Sequence, residues 1–379
     1  MTKLFSKSSI ALVVLTALAC SHLTMKRLPA ASEPFAPVEA GNVFASYEPL
    51  QVELEAPLAD LFARKSMGLV EFKKGSVEGT FSYWNEQKQK ISLPVSVSVK
   101  GFTSTELCDF PKLEIKFTSK ERGGTLFETT KTVDMNTHCG SKAGGAAEVF
   151  LKAAAFNHRE ALLYRMAEVL RIPTFKARPV FVKYNGTKIA EVDQSKKPFQ
   201  AFLLEDTSSF TKRLGGREIK GTDDPMKPLT LALQPQKAPM FAFTNVKQSP
   251  QIDPEDAARI GYFQKMIGNS DWYIKMTPED TRSGDAKINL WNTKIIELPN
   301  GKWVLFPQDF NFSAIMIGAY NSSADLKTIN SVDPATQVRL KQVFIEKKAE
   351  LYKLTDTLTN DPEGPEFLKR VLDAFYKDL

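Results

Sequence analysis

The sequence predicts an α+β protein in two lobes, an antiparallel-sheet lobe followed by a helical lobe. Three observations carry that expectation: strict apolar alternation through the first half, a change to helical spacing near residue 147, and capped amphipathic segments near the C-terminus. Residues 47–206 are the expected strand-rich lobe and residues 207–379 the helix-rich lobe, joined by a short hinge with a cleft between them.

The chain opens with a secretory pattern. Lys3 and Lys7 precede an apolar core over residues 10–18, and Ala17-Leu18-Ala19 supplies small residues for cleavage. That apolar run is too short to span a bilayer. Cys20 stands at the first mature position, as in bacterial lipoproteins, although Ala17 occupies the place where such signals carry Leu. Lipidation of Cys20 is the favoured expectation, with plain secretion after Ala19 the alternative; in a Gram-negative host, Ser21 after the cysteine points to the outer membrane. Loss of residues 1–19 takes the formal charge from +6 to +4. This mild excess, with both signs interspersed, excludes a nucleic-acid footprint.

Residues 21–46, rich in Ala, Pro, Ser and Glu, read as a flexible tether from lipid to domain. Strands begin near Leu50. Phe81-Ser82-Tyr83-Trp84, Val95-Ser96-Val97-Ser98-Val99 and Leu113-Glu114-Ile115-Lys116-Phe117 alternate as antiparallel strands with one wet face. Residues 147–170 read as one or two helices ended by Pro173. Val180-Phe181-Val182, the turn at Asn185-Gly186 and Phe202-Leu203-Leu204 read as a hairpin and a strand. Residues 214–256 read as a long loop. Asp253 then caps a helix over residues 254–266, with Pro254 in its first turn. Helices over residues 334–354 and 365–376 finish the chain.

Three cysteines divide simply. With Cys20 assigned to lipid, Cys108 and Cys139 remain as a pair in an oxidising compartment, and a structural disulfide is expected. His138 beside Cys139 does not make a zinc site, since the chain has only three histidines.

The chemistry-bearing residues lie late in the chain. Gly268-Asn269-Ser270-Asp271-Trp272 is followed by Asn292 and by Phe306-Pro307-Gln308-Asp309-Phe310-Asn311. A carboxylate, an amide and a second carboxylate ending an apolar strand is the order used in phosphoryl transfer: one group orients the acceptor hydroxyl, and the other two hold a metal on the phosphates. Asp309 follows Val304-Leu305-Phe306, where partial desolvation calls for a partner. No G-x-S-x-G elbow or H-E-x-x-H helix suggests a hydrolase.

Several blocks together resemble the CotH-type, spore-coat kinase-like superfamily, most closely its Gram-negative envelope members. They are Val99-Lys100-Gly101-Phe102 leading to Cys108-Asp109-Phe110-Pro111-Lys112-Leu113; Thr137-His138-Cys139; Arg159-Glu160-Ala161-Leu162-Leu163-Tyr164; the hinge block Phe202 to Asp206 with Arg213; Gly268 to Trp272; Trp291-Asn292-Thr293-Lys294; and Pro307 to Asn311. The resemblance implies an atypical protein-kinase-like fold and transfer of phosphate from ATP to protein with Mg²⁺ or Mn²⁺. It makes Asp271 the catalytic carboxylate, Asn292 and Asp309 the metal ligands, and Lys116 the phosphate-pairing lysine with Glu160 as its ion-pair partner. It also supports the Cys108–Cys139 disulfide.

Lys116 taken alone, on the polar side of an alternating strand, describes a surface lysine. Three departures from the superfamily pattern weaken phosphate or metal handling: Asn311 in place of a second acid, Thr103-Ser104-Thr105 in place of an arginine pair, and Trp291 in place of His, with an insertion carrying Pro278 and Gly284 before Asn292. The expectation is therefore an extracytoplasmic lipoprotein with phosphotransferase chemistry acting on a protein substrate. The alternative is a catalytically degenerate envelope module that binds or assembles with a partner.

Overall fold

A computed structural model describes residues 41–101, 103–140, 155–218, 252–277, 290–317 and 326–379. Seven strands form a closed barrel: β1 (Leu50–Glu55), β2 (Ser76–Trp84), β3 (Lys90–Val99), β4 (Leu113–Phe117), β5 (Thr132–Asn136), β6 (Ala177–Asn185) and β7 (Phe199–Glu205). Their order around the barrel is β1-β2-β3-β4-β5-β7-β6. Every neighbouring pair is antiparallel except the closing one, where β1 runs parallel to β6 from Leu50 opposite Val180 to Glu55 opposite Asn185. The alternation read in the sequence fills the interior: Val52, Leu54, Phe81, Val95, Val97, Ile115, Val133, Val180 and Val182 are all buried.

The described residues also contain eleven α-helices: α1 (Leu58–Phe62), α2 (Leu69–Lys74), α3 (Thr103–Leu107), α4 (Asn157–Val169), α5 (Ala190–Asp193), α6 (Thr207–Arg213), α7 (Pro254–Ile267), α8 (Ala314–Ile317), α9 (Leu326–Ile329), α10 (Pro334–Thr355) and α11 (Gly364–Asp378). β9 (Tyr273–Ile274) pairs with β10 (Leu290–Trp291). β8 (Arg217–Glu218), β11 (Thr293–Glu297) and β12 (Trp303–Pro307) form a separate three-stranded sheet in the order β12-β11-β8. Capping fixes the long helices as their sequences suggest. The Asp253 side chain accepts from the Glu255 amide, and that of Asp333 from the Thr336 amide. Gly268 ends α7 in the left-handed region at φ 62°. In α11, Leu368, Val371, Leu372 and Phe375 bury one stripe at helical spacing.

This architecture corrects the two-lobed, kinase-like expectation. The α+β mixture is present, but the strands close into a mixed barrel, and a barrel is not the open antiparallel sheet of a two-lobed kinase. The segment taken as a hinge is the reason. β7 is buried on both faces: Ala201 and Leu203 point into the barrel core, while Phe202 and Leu204 join the helical core with Leu162, Phe210 and Phe306. A strand shared by two cores cannot serve as a free hinge. Its end is fastened as well, because Arg213 in α6 donates to both carboxylate oxygens of Glu205, at 2.9 and 2.7 Å.

Smaller differences have simple causes. Packing starts at Asn42, earlier than a tether to residue 46 would allow, because Val43 and Phe44 are apolar enough to bury. The expected helical stretch begins, within the described residues, at Asn157; its earlier part, Cys20 and the Pro278–Gly284 insertion lie outside them. No described helix is long and apolar enough to cross a membrane. The Cys108–Cys139 disulfide is present and joins the turn after α3 to the chain leaving β5.

Candidate functional site

Two strained backbone positions mark the site. Asn292 and Asp309 hold φ of 47° and 58°, in the left-handed region that short polar side chains tolerate better than others do. They flank the β11–β12 ladder, in which Thr293 faces Pro307, and the Gln308 amide donates to the Asn292 carbonyl at 2.9 Å. The two residues expected to share a metal are thus held at the same end of one hairpin.

Asp271 is presented by the turn that ends α7. The Asn269 side chain donates to Gln264 Oε1 at 3.0 Å and accepts from the Asp271 amide at 3.0 Å. Trp291 Nε1 donates to Asp271 Oδ1 at 2.8 Å, and Asn292 Nδ2 donates to Oδ2 at 2.9 Å and to the Asp271 carbonyl at 2.7 Å. Trp291, read from sequence as a departure, therefore fixes the orientation of the catalytic candidate. Trp272 is buried in the helical core.

Asp309 meets a different set of groups. Its amide donates to the Tyr164 hydroxyl at 3.1 Å, and the next amide, of Phe310, donates to Glu160 Oε1 at 3.2 Å. Lys112 Nζ donates to Asp309 Oδ1 at 3.3 Å, with the two side chains 24% and 38% exposed. Burial opposes the charge on Lys112, but the Asp309 and Glu160 carboxylates outweigh it and raise its pKa. Glu160 is 2% exposed, and burial, reinforced by Asp309, pushes its pKa to about 7 against the opposing pull of Lys112 and hydrogen bonds from Phe310 and Asn136. Asp134 extends the network: burial raises it to about 6, while Lys100, 3.4 Å away, pulls it down.

The expected cationic partner of Glu160 is thus corrected. Lys116 is exposed and pairs in register with Ser96 and Thr132; the cation acting on Glu160 is Lys112. Alternation explains the difference, since Lys116 points outward between the buried Ile115 and Phe117, whereas Lys112 precedes β4. The signal was available, because Lys112 is the cation within the Cys108-to-Leu113 block. Tyr164 likewise lies within the Arg159-to-Tyr164 block, whereas Asp134 had no comparable signal.

The metal question turns on the donors. Among the described residues, no three His, Cys, Asp or Glu side chains gather to hold an ion. The hard oxygens at the hairpin are one carboxylate, Asp309, and the amide of Asn292. Asn311 Oδ1, two residues on, is buried and accepts no hydrogen bond. Such a set fits Mg²⁺ or Mn²⁺ only where substrate phosphates supply further ligands, as they commonly do for Mg²⁺. His138 packs among aromatic rings, 4.0 Å from Phe199 and 4.6 Å from Phe110, and burial lowers its pKa to about 4.

Compared with known protein-family models and with curated proteins, the chain finds no match.

Proposed function

We propose that the protein is an extracytoplasmic, CotH-like lipoprotein that transfers a phosphoryl group from a nucleoside triphosphate such as ATP to a hydroxyl of a protein substrate. The observation that carries this reading is the convergence of Lys112, Glu160 and Asp309 in one half-buried cluster, beside a hairpin whose Asn292 also holds Asp271. Phosphoryl transfer relies on such groups for positioning and charge neutralisation, which supports the reading.

Asp271 accepts the proton of the acceptor hydroxyl, its carboxylate held in place by Trp291 and Asn292. The hydroxyl oxygen forms a bond to the terminal phosphorus as the bond to the bridging oxygen breaks, and the nucleoside diphosphate leaves. Lys112, turned toward the phosphates by Glu160, pairs with their charge in place of Asp309. A divalent metal, held by Asp309 and Asn292, would supply the remaining charge neutralisation.

A second reading, an envelope module that binds without catalysis, is favoured by one observation: Lys112 already neutralises Asp309, and Asn311 adds no charge. Transfer of labelled phosphate from ATP with Mg²⁺ or Mn²⁺ to envelope proteins tests the first reading. Asp271→Asn should lower the rate by about 10²- to 10⁴-fold, the usual contribution of general base catalysis, while leaving nucleotide affinity intact. Transfer would refute the second reading; its absence, with or without nucleotide binding, would refute the first and favour the second.

A further inference from the structure

Between β1 and β2 the chain makes a projection of α1, a 3₁₀ turn (Ala63–Met67) and α2. Its inner side is apolar and fixed. Leu58, Leu61 and Phe72 are buried in the barrel core, and Phe62 packs edge-on against Phe110 with ring centroids 5.1 Å apart. Lys65 Nζ donates to the Glu106 carbonyl at 2.7 Å, which fastens the turn beside the disulfide-closed corner at Cys108.

The outer side has a different character. Met67 and Val70 are 66% and 64% exposed, among the most exposed large apolar side chains of the described residues. Gly68 separates them in the left-handed region at φ 98°, and no atom lies within 4 Å of where its Cβ would stand. Around this tip Arg64, Lys65, Lys73 and Lys74 are exposed. The acids of the projection are Asp60, bonded to Lys188 at 2.7 Å, and Glu71, bonded to Lys74 at 3.2 Å. The face is therefore net basic around two apolar side chains. α10 also exposes Val338 and Ile345 and is likewise net basic, but those two side chains stand about two helical turns apart along the helix, whereas Met67 and Val70 share one tip.

We infer that this projection is a contact surface for anionic phospholipid headgroups, with Met67 and Val70 entering the interface and Arg64, Lys73 and Lys74 lying at the phosphates. Charge complementarity selects the occupant: a basic rim gains from an anionic leaflet, at about five-fold in affinity for each basic residue near the surface. The shape agrees. Two exposed aliphatic side chains suit shallow insertion between headgroups, whereas a protein hot spot is built around a buried aromatic or arginine anchor in a pocket. The inference is independent of the phosphoryl-transfer reading.

Vesicle sedimentation of the mature chain beginning at Ser21, which lacks the cysteine that would carry lipid, tests it. The vesicles are phosphatidylethanolamine with phosphatidylglycerol, against phosphatidylcholine alone. Salt-sensitive binding to the anionic vesicles is expected. Lys73→Gln with Lys74→Gln should weaken it on the order of ten- to thirty-fold, and Met67→Ser with Val70→Ser should weaken it too. The unfolding midpoint should stay within about a degree in each variant, because exposed substitutions change stability little. Absence of binding to the anionic vesicles, or equal binding by wild type and both variants, would overturn the inference. So would a wild-type dimer that the same substitutions dissolve, since that would assign the patch to a second copy of the chain.

Discussion

Replacing Glu160 by glutamine should flatten the stability of the protein above pH 6. Glutamine keeps an oxygen to accept from the Phe310 amide, so the substitution removes charge with little change of shape. In the wild type the Glu160 pKa is raised from 4.5 in the unfolded chain to about 7 in the fold. The folded state therefore holds a proton that the unfolded state has released, and the contribution of Glu160 to stability is greatest below pH 4.5 and is lost as pH rises through 7. The full span is about 3 kcal/mol, at 1.36 kcal/mol for each pKa unit.

Other groups share the acid end of that range. Asp134, raised to about 6, acts in the same direction, and His138, lowered to about 4, acts in the opposite one. Between pH 6 and 8 Asp134 adds a loss of about 0.4 kcal/mol and His138, whose unfolded ring titrates at 6.5, a gain of about 0.8 kcal/mol, while Glu160 with pKa near 7 loses about 1.4 kcal/mol. Urea denaturation at intervals across that window is the assay. From pH 6 to pH 8 the wild type should lose about 1 kcal/mol and Glu160→Gln should gain about 0.4 kcal/mol, a difference of about 1.4 kcal/mol. Equal slopes in the two proteins would refute the reasoning, because Glu160 would then not be the buried, proton-holding member of the cluster.

Lys112→Met should destabilise by about 1–3 kcal/mol, less than a fully buried pair because Asp309 is 38% exposed. Lys116→Met should change stability by at most about 0.5 kcal/mol, and equal effects in urea denaturation would contradict the placement of both. Arg159 in α4 binds the Asp361 carboxylate with side chains 7% and 11% exposed, and it also donates to the Ile315 carbonyl. Arg159→Ala should cost about 3–5 kcal/mol, seen as a lower denaturation midpoint; a loss under 1 kcal/mol would contradict this clamp. His138→Phe should make the protein more resistant to acid. The wild type loses up to about 3 kcal/mol as pH falls from 6.5 through 4, where the buried ring must charge; an unchanged acid midpoint would count against the burial of the ring.

Much of the local structure was legible because short-range rules determine it. Alternation located the interior residues of β3 and β4, and Asp253 with Pro254 gave the start of α7. The closure of the barrel was not legible. Period-2 patterning says which side chains face inward but not which strand lies alongside, and β1 finds its parallel partner β6 more than a hundred residues away. The double burial of β7 was also hidden, because Phe202-Leu203-Leu204 reads equally well as a hinge strand or a core strand.

In the site, the order Asp271, Asn292, Asp309 did identify residues that the fold brings to one hairpin and the turn beside it. The family resemblance points to Lys116, although strand alternation already faces that side chain outward, and Lys112 takes its place beside Glu160. Trp291 shows the converse: a residue read as a loss supplies the hydrogen bond that orients Asp271.

Calorimetric titration of ATP with Mg²⁺ into the wild type, Lys112→Met and Asp309→Ala tests the central claim most directly. A phosphate site built on Lys112 should give saturable, magnesium-dependent binding in the wild type. Losing a charged hydrogen-bonding partner should weaken it at least about ten-fold in Lys112→Met, and Asp309→Ala should remove the magnesium dependence. No binding by the wild type, or the same affinity in Lys112→Met, would contradict it.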